Sequence, residues 1–174
     1  MNKFSHGLTI AAAYCFPLGC ASTPAPTVRA AFVEQRQCDA STSPQEAARI
    51  LGMTKVISSE PIYSNVPTAY DDIEKRANGA KLGIRSPDGI SAERMTRILQ
   101  CDSARQLLGR TDRAELANDP YWLPDAWVDI RVTPEDGNYA VMLEGDSIAK
   151  SLQIYARAVA YADAHPADTY PVPR

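Results

Sequence analysis

Histidine is almost absent from this chain of 174 residues, which contains only His6 and His165. A serine or cysteine nucleophile usually depends on a histidine base, and these two residues lie near opposite ends of the chain. Zinc and haem sites need clustered ligands, and the sequence has no CxxC, HExxH or CxxCH motif. We therefore expect no catalytic residue, no metal site and no cofactor.

Phosphate-binding motifs are missing as well. There is no GxGxxG motif and no glycine-rich loop that ends in Lys-Ser or Lys-Thr. The formal net charge of −3 gives no electrostatic reason to bind nucleic acid. The sequence thus predicts neither a nucleotide cofactor nor a nucleic-acid partner.

No apolar run is long enough to cross a bilayer, which takes about 20 apolar residues. The amino terminus instead has the pattern of a secretion signal, in which Lys3 is followed by the apolar run 7–16 and then by small residues. Leu18-Gly19-Cys20 resembles the lipobox of bacterial lipoproteins, in which the chain is cut before the cysteine and the thiol is acylated.

The resemblance implies lipid attachment at Cys20 and a membrane partner reached through that lipid. Ala21 and Ser22 lack the aspartate that is typical of retention in the inner membrane, so the expected location is the outer membrane, facing the periplasm. A cut after Ala21, which would give a soluble periplasmic protein, is the alternative.

The sequence divides into four segments. These are a signal peptide (1–19), the lipid-attachment cysteine with a proline-rich tether (20–42), a single domain (43–165) and a C-terminal tail (166–174).

Cysteine count adds a covalent link to this picture. Cys15 and Cys20 belong to the leader and its cleavage site, which leaves Cys38 and Cys101 as the only cysteines in the rest of the chain. Two cysteines in an oxidising compartment have one intramolecular pairing, so we predict a Cys38–Cys101 disulfide. Two separate thiols are the alternative.

Capping residues predict the first two helices of the domain. Ser43 and Glu46 form a capping box, in which the serine accepts from the Glu46 amide and the Glu46 side chain returns to the cap; this helix should end at Gly52. Ser91 similarly begins a longer helix that Gly109 closes.

Alternation of apolar and polar residues predicts the strands, at 55–62, 80–85, 127–133 and 139–143. Pro61 marks the first as an edge strand because proline cannot donate to a ladder. Asn78-Gly79 predicts a turn before the second strand, and residues 135–138 predict the turn of a hairpin that joins the last two. Residues 68–77 fit a helical turn or a loop.

A last helix should run from Asp146 or Ser147 to about Ala164. Its apolar residues recur at spacings of 4, 3, 4 and 3, which predicts one buried stripe: Ile148, Leu152, Tyr155, Val159 and Ala162.

The order of these elements predicts an α+β two-layer sandwich, with a mainly antiparallel sheet and two long helices on one face. The final strand–helix–hairpin–helix run resembles part of a ferredoxin-like fold, a pattern that by itself identifies no activity.

The most distinctive segment is 119–127, where aromatic residues stand between prolines. Such a segment can form a rigid platform for a sugar, a peptide or a protein. The predicted binding surface combines this segment with two basic residues of the preceding helix: Tyr121, Trp122, Trp127, Arg94 and Arg97. The alternative is that the tryptophans close the loop over the core.

Acidic residues supply the remaining chemistry. Five of them follow residue 114 in or near loops and strands: Asp119, Asp125, Asp129, Glu135 and Asp136. Paired carboxylates can act as a general acid and base, although turn and surface positions explain each of these residues as well.

These observations favour a non-catalytic binding or scaffolding module with an envelope protein or the cell wall as partner. The alternative is a periplasmic hydrolase that uses acidic residues on cell-wall sugar, which would need convergent carboxylates in a cleft. A redox role for the cysteines is a third possibility and would need an exposed thiol of low pKa.

Overall fold

The computed structural model describes residues 24–67, 72–110 and 118–167. Its helices are α1 (Pro26–Gln37), α2 (Pro44–Met53), α3 (Ala92–Leu107) and α4 (Ile148–Ala164), with a short 3-10 helix at Ala40–Thr42. Its strands are β1 (Val56–Pro67), β2 (Ile73–Ile84), β3 (Asp129–Glu135) and β4 (Asn138–Glu144). The leader, Cys20 and residues 168–174 lie outside the described residues.

The four strands form one antiparallel sheet in the order β1-β2-β4-β3. Helix α3 packs over β3, α4 packs over β1 and β2, and α1 packs on α3. The predicted α+β sandwich is therefore confirmed. Strands β2 and β3 flank β4 and are joined through α3, as in the split β-α-β unit of ferredoxin-like folds, but the fourth strand, β1, comes first in the chain.

The core lies between one face of the sheet and the two long helices. Alternate residues of the strands point into it, as the period of two requires. The fully buried side chains include Leu82, Ile84, Val141 and Leu143 from the sheet, with Met95, Ile98, Leu99 and Ile154 from the helices.

Local signals begin and end these elements largely as predicted. Ser43, Ser91 and Ser147 cap α2, α3 and α4 by accepting from the backbone amide three residues ahead. The hairpin of β3 and β4 turns through Asp136 and Gly137, whose φ angles of 48° and 76° suit a tight turn matched to the sheet's twist.

Part of the segment predicted as a tether is helical. Helix α1 and the 3-10 helix occupy 26–42, and Ala30 and Val33 of α1 are buried in a small cluster with Trp127. Proline is well suited to the first turn of a helix, so Pro26 begins α1 rather than extending a spacer. At the other end, Ala167 donates to the Val56 carbonyl over 2.8 Å, which brings the start of the predicted tail onto β1.

The turn predicted at Asn78-Gly79 is also wrong, because both residues lie inside β2. The register slips here: Ile62 pairs with Gly79 and Tyr63 with Ala77, so Asn78 is the extra residue of a bulge. Past the bulge β2 pairs only with β1, and the two strands form an arm that extends beyond β4. Part of the ambiguous stretch 68–77 is therefore strand.

Candidate functional site

The disulfide between Cys38 and Cys101 is present, as predicted, with a Cα–Cα distance of 5.7 Å. It joins the residue that follows α1 to the middle of α3, across a sequence separation of 63 residues. Cys101 is fully buried. Cys101 therefore lacks the exposure that a redox-active cysteine needs, whereas Cys38 is half-buried.

The predicted aromatic platform is not a surface, because its two flanking rings belong to the interior. Tyr121 is 1% exposed and meets Tyr161 edge to face at 5.6 Å, while Trp127 is 4% exposed and closes the cluster beneath α1. Burial raises the pKa of the Tyr121 hydroxyl well above its ordinary value. The alternative reading, in which aromatics close the loop over the core, describes both residues.

Trp122 is half-buried and is held by an arginine of α4. The Arg157 guanidinium lies 5.8 Å from the centre of the indole ring and donates to the Trp122 carbonyl over 2.8 Å. It also donates to the carbonyl of Asp119 over 3.3 Å. The tryptophan therefore ties the loop to α4.

The two arginines of α3 that were predicted to join this segment do not do so. Arg94 pairs with Glu46 of α2 at 3.1 Å, and Arg97 pairs with Glu93 on its own helix at 3.3 Å. Glu46 also accepts from Arg49, and that bond lowers the pKa of its carboxyl. Its side chain therefore bridges two helices. The capping box had predicted that this side chain would return to the cap of α2, and it does not.

The acidic residues have separate partners. Asp125 pairs with Lys150 at 2.5 Å, a bond that lowers the pKa of Asp125, and Glu135 pairs with Lys81 at 2.7 Å. Asp129 pairs with Arg29 of α1 at 2.9 Å. Asp119 accepts from the Tyr121 amide. Across the described ranges, no three His, Cys, Asp or Glu side chains gather in a way that could hold a metal ion.

The stripe predicted as the buried face of α4 is largely exposed, which corrects the sequence-based expectation. Ile148 is 46% exposed, Leu152 is 52% exposed and Val159 is 37% exposed. The residues that α4 buries lie one position earlier at each step: Ser151, Ile154, Ala158 and Tyr161. Successive residues are about 100° apart around a helix, so the predicted buried face differs from the observed one by a rotation of that angle about the helix axis.

Small side chains explain why α4 takes this orientation. A Cβ on Gly145 would lie 2.9 Å from the Ser151 amide nitrogen, so the first turns of the helix approach the preceding backbone closely. The small Ser151 side chain leaves room for such contact, and a bulkier side chain at this position would not. We name the exposed residues Ile148, Leu152 and Val159, together with the half-buried Tyr155 between them, the α4 stripe.

A shallow cleft of about 820 Å³ adjoins the α4 stripe. Tyr155 and Val159 form its helical wall, and the first residues of β1, from Val56 to Ser59, form the other. Arg85 and Asp163 supply charges of opposite sign at its margin. The apolar side chains of the stripe thus lie exposed beside a cleft whose lining is partly apolar and partly polar.

No helix among the described residues is both long and apolar enough to cross a membrane. No known protein family matches the chain, and neither a curated protein nor a solved structure matches it significantly. The observed architecture defines the protein as a disulfide-linked α+β domain. The surfaces of this domain are the basis for inferring its function.

Proposed function

We propose that this protein is an envelope lipoprotein whose domain is a non-catalytic protein-binding module, with the α4 stripe as its binding surface. The exposure of Ile148, Leu152 and Val159 in succession along one helix is the observation that carries the proposal. Single exposed apolar side chains are common on soluble domains, whereas contiguous apolar patches mark interaction sites.

The shape of this surface favours a protein over a small ligand. The stripe runs along about 16 Å of helix from Ile148 to Val159, since each helical residue rises about 1.5 Å. Small molecules are usually enclosed in a pocket that covers most of their surface, and the neighbouring cleft is shallow. Arg85 and Asp163 lie at the margin of the cleft. They would orient a partner that carries complementary charges beside its apolar face.

Two features support an envelope location. The Cys38–Cys101 disulfide is typical of proteins in oxidising compartments. Leu18-Gly19-Cys20 supports lipid attachment. The partner in this proposal is therefore another envelope protein. Intact mass of the protein extracted from its host's membranes should give a chain that starts at Cys20 with added acyl mass. A soluble chain that starts at Ser22 without lipid would contradict this part.

Binding at the stripe can be tested by photocrosslinking in the producing bacterium. A photoreactive phenylalanine analogue at Leu152 should form an adduct with one protein, and the same analogue at exposed Asp88 should not. The adduct must also disappear when Ile148 and Val159 are changed to serine, because those changes remove the apolar surface around the probe. An adduct that survives both serine substitutions, or that forms equally from position 88, would contradict the proposal.

The crosslinked adduct could contain a second copy of this chain or a different protein, and these two outcomes must be distinguished. Light scattering of the purified chain measures its mass directly. A monomer in solution, together with an adduct heavier or lighter than two copies, supports a separate partner. A dimer that the serine substitutions dissociate would assign the stripe to self-association and overturn the proposal of a different partner.

A further inference from the structure

Helix α1 presents a second apolar surface, at the opposite edge of the sheet from the α4 stripe. Val28 and Phe32, one helical turn apart, are 60% and 58% exposed, whereas Ala30 and Val33 of the same helix are buried. The exposed pair borders a groove of about 410 Å³ that Trp127 also lines. We name Val28 and Phe32 the α1 face.

Arginines accompany this surface. The Arg36 guanidinium lies 5.6 Å from the centre of the Phe32 ring, and Arg29 lies 5.5 Å from the ring of Trp127 while pairing with Asp129. An apolar face beside an arginine is typical of a helix that lies on a phospholipid surface, since the apolar groups enter the acyl boundary and a guanidinium group such as that of Arg36 meets phosphate.

The length of chain between Cys20 and α1 decides which surface lies nearest the anchor. Five residues separate Cys20 from Pro26, and six residue steps can span at most about 21 Å. A lipid on Cys20 would therefore hold the start of α1 within that distance of the membrane surface. Helix α1 and β3 lie at one edge of the sheet, and β1 lies at the other.

We propose that the α1 face rests on the phospholipid surface to which Cys20 anchors the chain, so that the domain adopts one orientation on the membrane. This inference rests on the lipid attachment in the proposed function. It directs the α4 stripe and the β1 edge away from the bilayer, where a partner protein can reach them.

The orientation can be tested without relying on acylation. The chain from Ala21 to Arg174, which contains every described residue, is given an N-terminal hexahistidine tag and bound to vesicles of phosphatidylethanolamine and phosphatidylglycerol that contain a nickel-chelating lipid. Phe32→Trp and Leu152→Trp then report the two surfaces, because each adds one tryptophan to the same pair, Trp122 and Trp127. Brominated lipids quench a tryptophan only when it reaches the acyl chains.

We expect brominated lipid to remove most of the fluorescence that Phe32→Trp adds and none of that added by Leu152→Trp. Quenching at position 152 alone, or at neither position while the protein is bound to the vesicles, would overturn the proposal. Quenching at position 32, or its absence, does not depend on whether the native chain is acylated. Acylation is decided separately by intact mass. Val28→Trp provides a second probe of the α1 face should Phe32→Trp not fold.

A matched pair of surface variants separates contact from tethering. Val28→Ser with Phe32→Ser should weaken binding of the untagged chain to the same vesicles at least about tenfold, because two apolar side chains no longer enter the lipid. Ile148→Ser with Leu152→Ser should leave that binding unchanged. Equal effects of the two pairs would show that the α1 face has no special role.

Discussion

The carbonyl oxygen of Leu143 in β4 lies 1.8 Å from the point where a Cβ on residue 79 would be. Gly79 also has a φ of 152°, a conformation that residues with side chains rarely adopt. We expect Gly79→Ala to lower the free energy of unfolding by about 1–3 kcal/mol, because β2 must move away from β4. Urea denaturation measures this change.

Gly52 provides the control for that substitution. It lies in α2, and an added Cβ would meet nothing within 4 Å. Gly52→Ala should raise the free energy of unfolding by up to about 1 kcal/mol, since alanine is the better helix former. Equal effects of the two substitutions would contradict the close contact between β2 and β4.

The disulfide should contribute substantially to stability. For a separation of 63 residues, the chain-entropy account gives about 4 kcal/mol from restriction of the unfolded state. Reductant should therefore lower the urea midpoint of the native chain and leave that of a Cys38→Ser, Cys101→Ser double variant unchanged. A native chain whose midpoint does not respond to reductant would contradict the pairing.

The two faces of α4 should respond differently to truncation. Ile154 is fully buried, so Ile154→Ala should cost about 2–5 kcal/mol of unfolding free energy. Leu152 is 52% exposed, and Leu152→Ala should cost less than about 1 kcal/mol. If the Leu152 substitution proved the more damaging, the orientation of α4 described above would be wrong.

Glu46 should make stability depend on pH. Its bond to Arg49 lowers its pKa in the folded state below the ordinary value of 4.5. A carboxyl whose pKa is depressed by folding stabilises the protein above its unfolded pKa, and this stabilisation is lost as pH falls through the folded pKa. Glu46→Gln should therefore reduce the melting temperature at pH 7, and the difference from the native chain should shrink below pH 4.5.

Glu93→Gln is the matched control, because the Glu93 side chain is 86% exposed in its pair with Arg97, whereas the Glu46 side chain is 20% exposed. Exposed pairs of this kind contribute little, so its effect on the melting temperature should be small at any pH. A loss from Glu46→Gln that stays constant with pH would contradict a stabilising role for the charge of the Glu46 carboxylate beside Arg49 and Arg94.

Much of the fold could be predicted because its signals are local. A serine at the start of α2, α3 and α4, a glycine after α3 and Asp136-Gly137 between two strands act on the backbone within a few residues. The cysteine pair was predictable for a different reason, since only one pairing was open to Cys38 and Cys101. None of these inferences needed the position of a distant element.

The candidate surfaces needed more than local signals. Periodicity identified Ile148, Leu152 and Val159 as one stripe, and the same helix carries a second apolar row, which includes Ile154, beside it. Which row is buried depends on how closely Ser151 and Gly145 can approach, a contact between separate elements. Similarly, the prolines at the start of α1 suit either a spacer or the beginning of a helix. Only the burial of Ala30 and Val33 beneath α1 distinguishes these two interpretations.

The sequence by itself therefore determined the serine caps of α2, α3 and α4, the turn between β3 and β4, the pairing of the two cysteines and the α+β class. Each of these follows from backbone conformation or from counting. The tertiary structure decided which apolar residues are covered: it buried Tyr121 and Trp127, and it left Leu152 and Phe32 exposed on helices that lie over different parts of the sheet. The physical reason is that burial is a property of packing between distant segments, and packing chooses among faces that a one-dimensional pattern presents as equal.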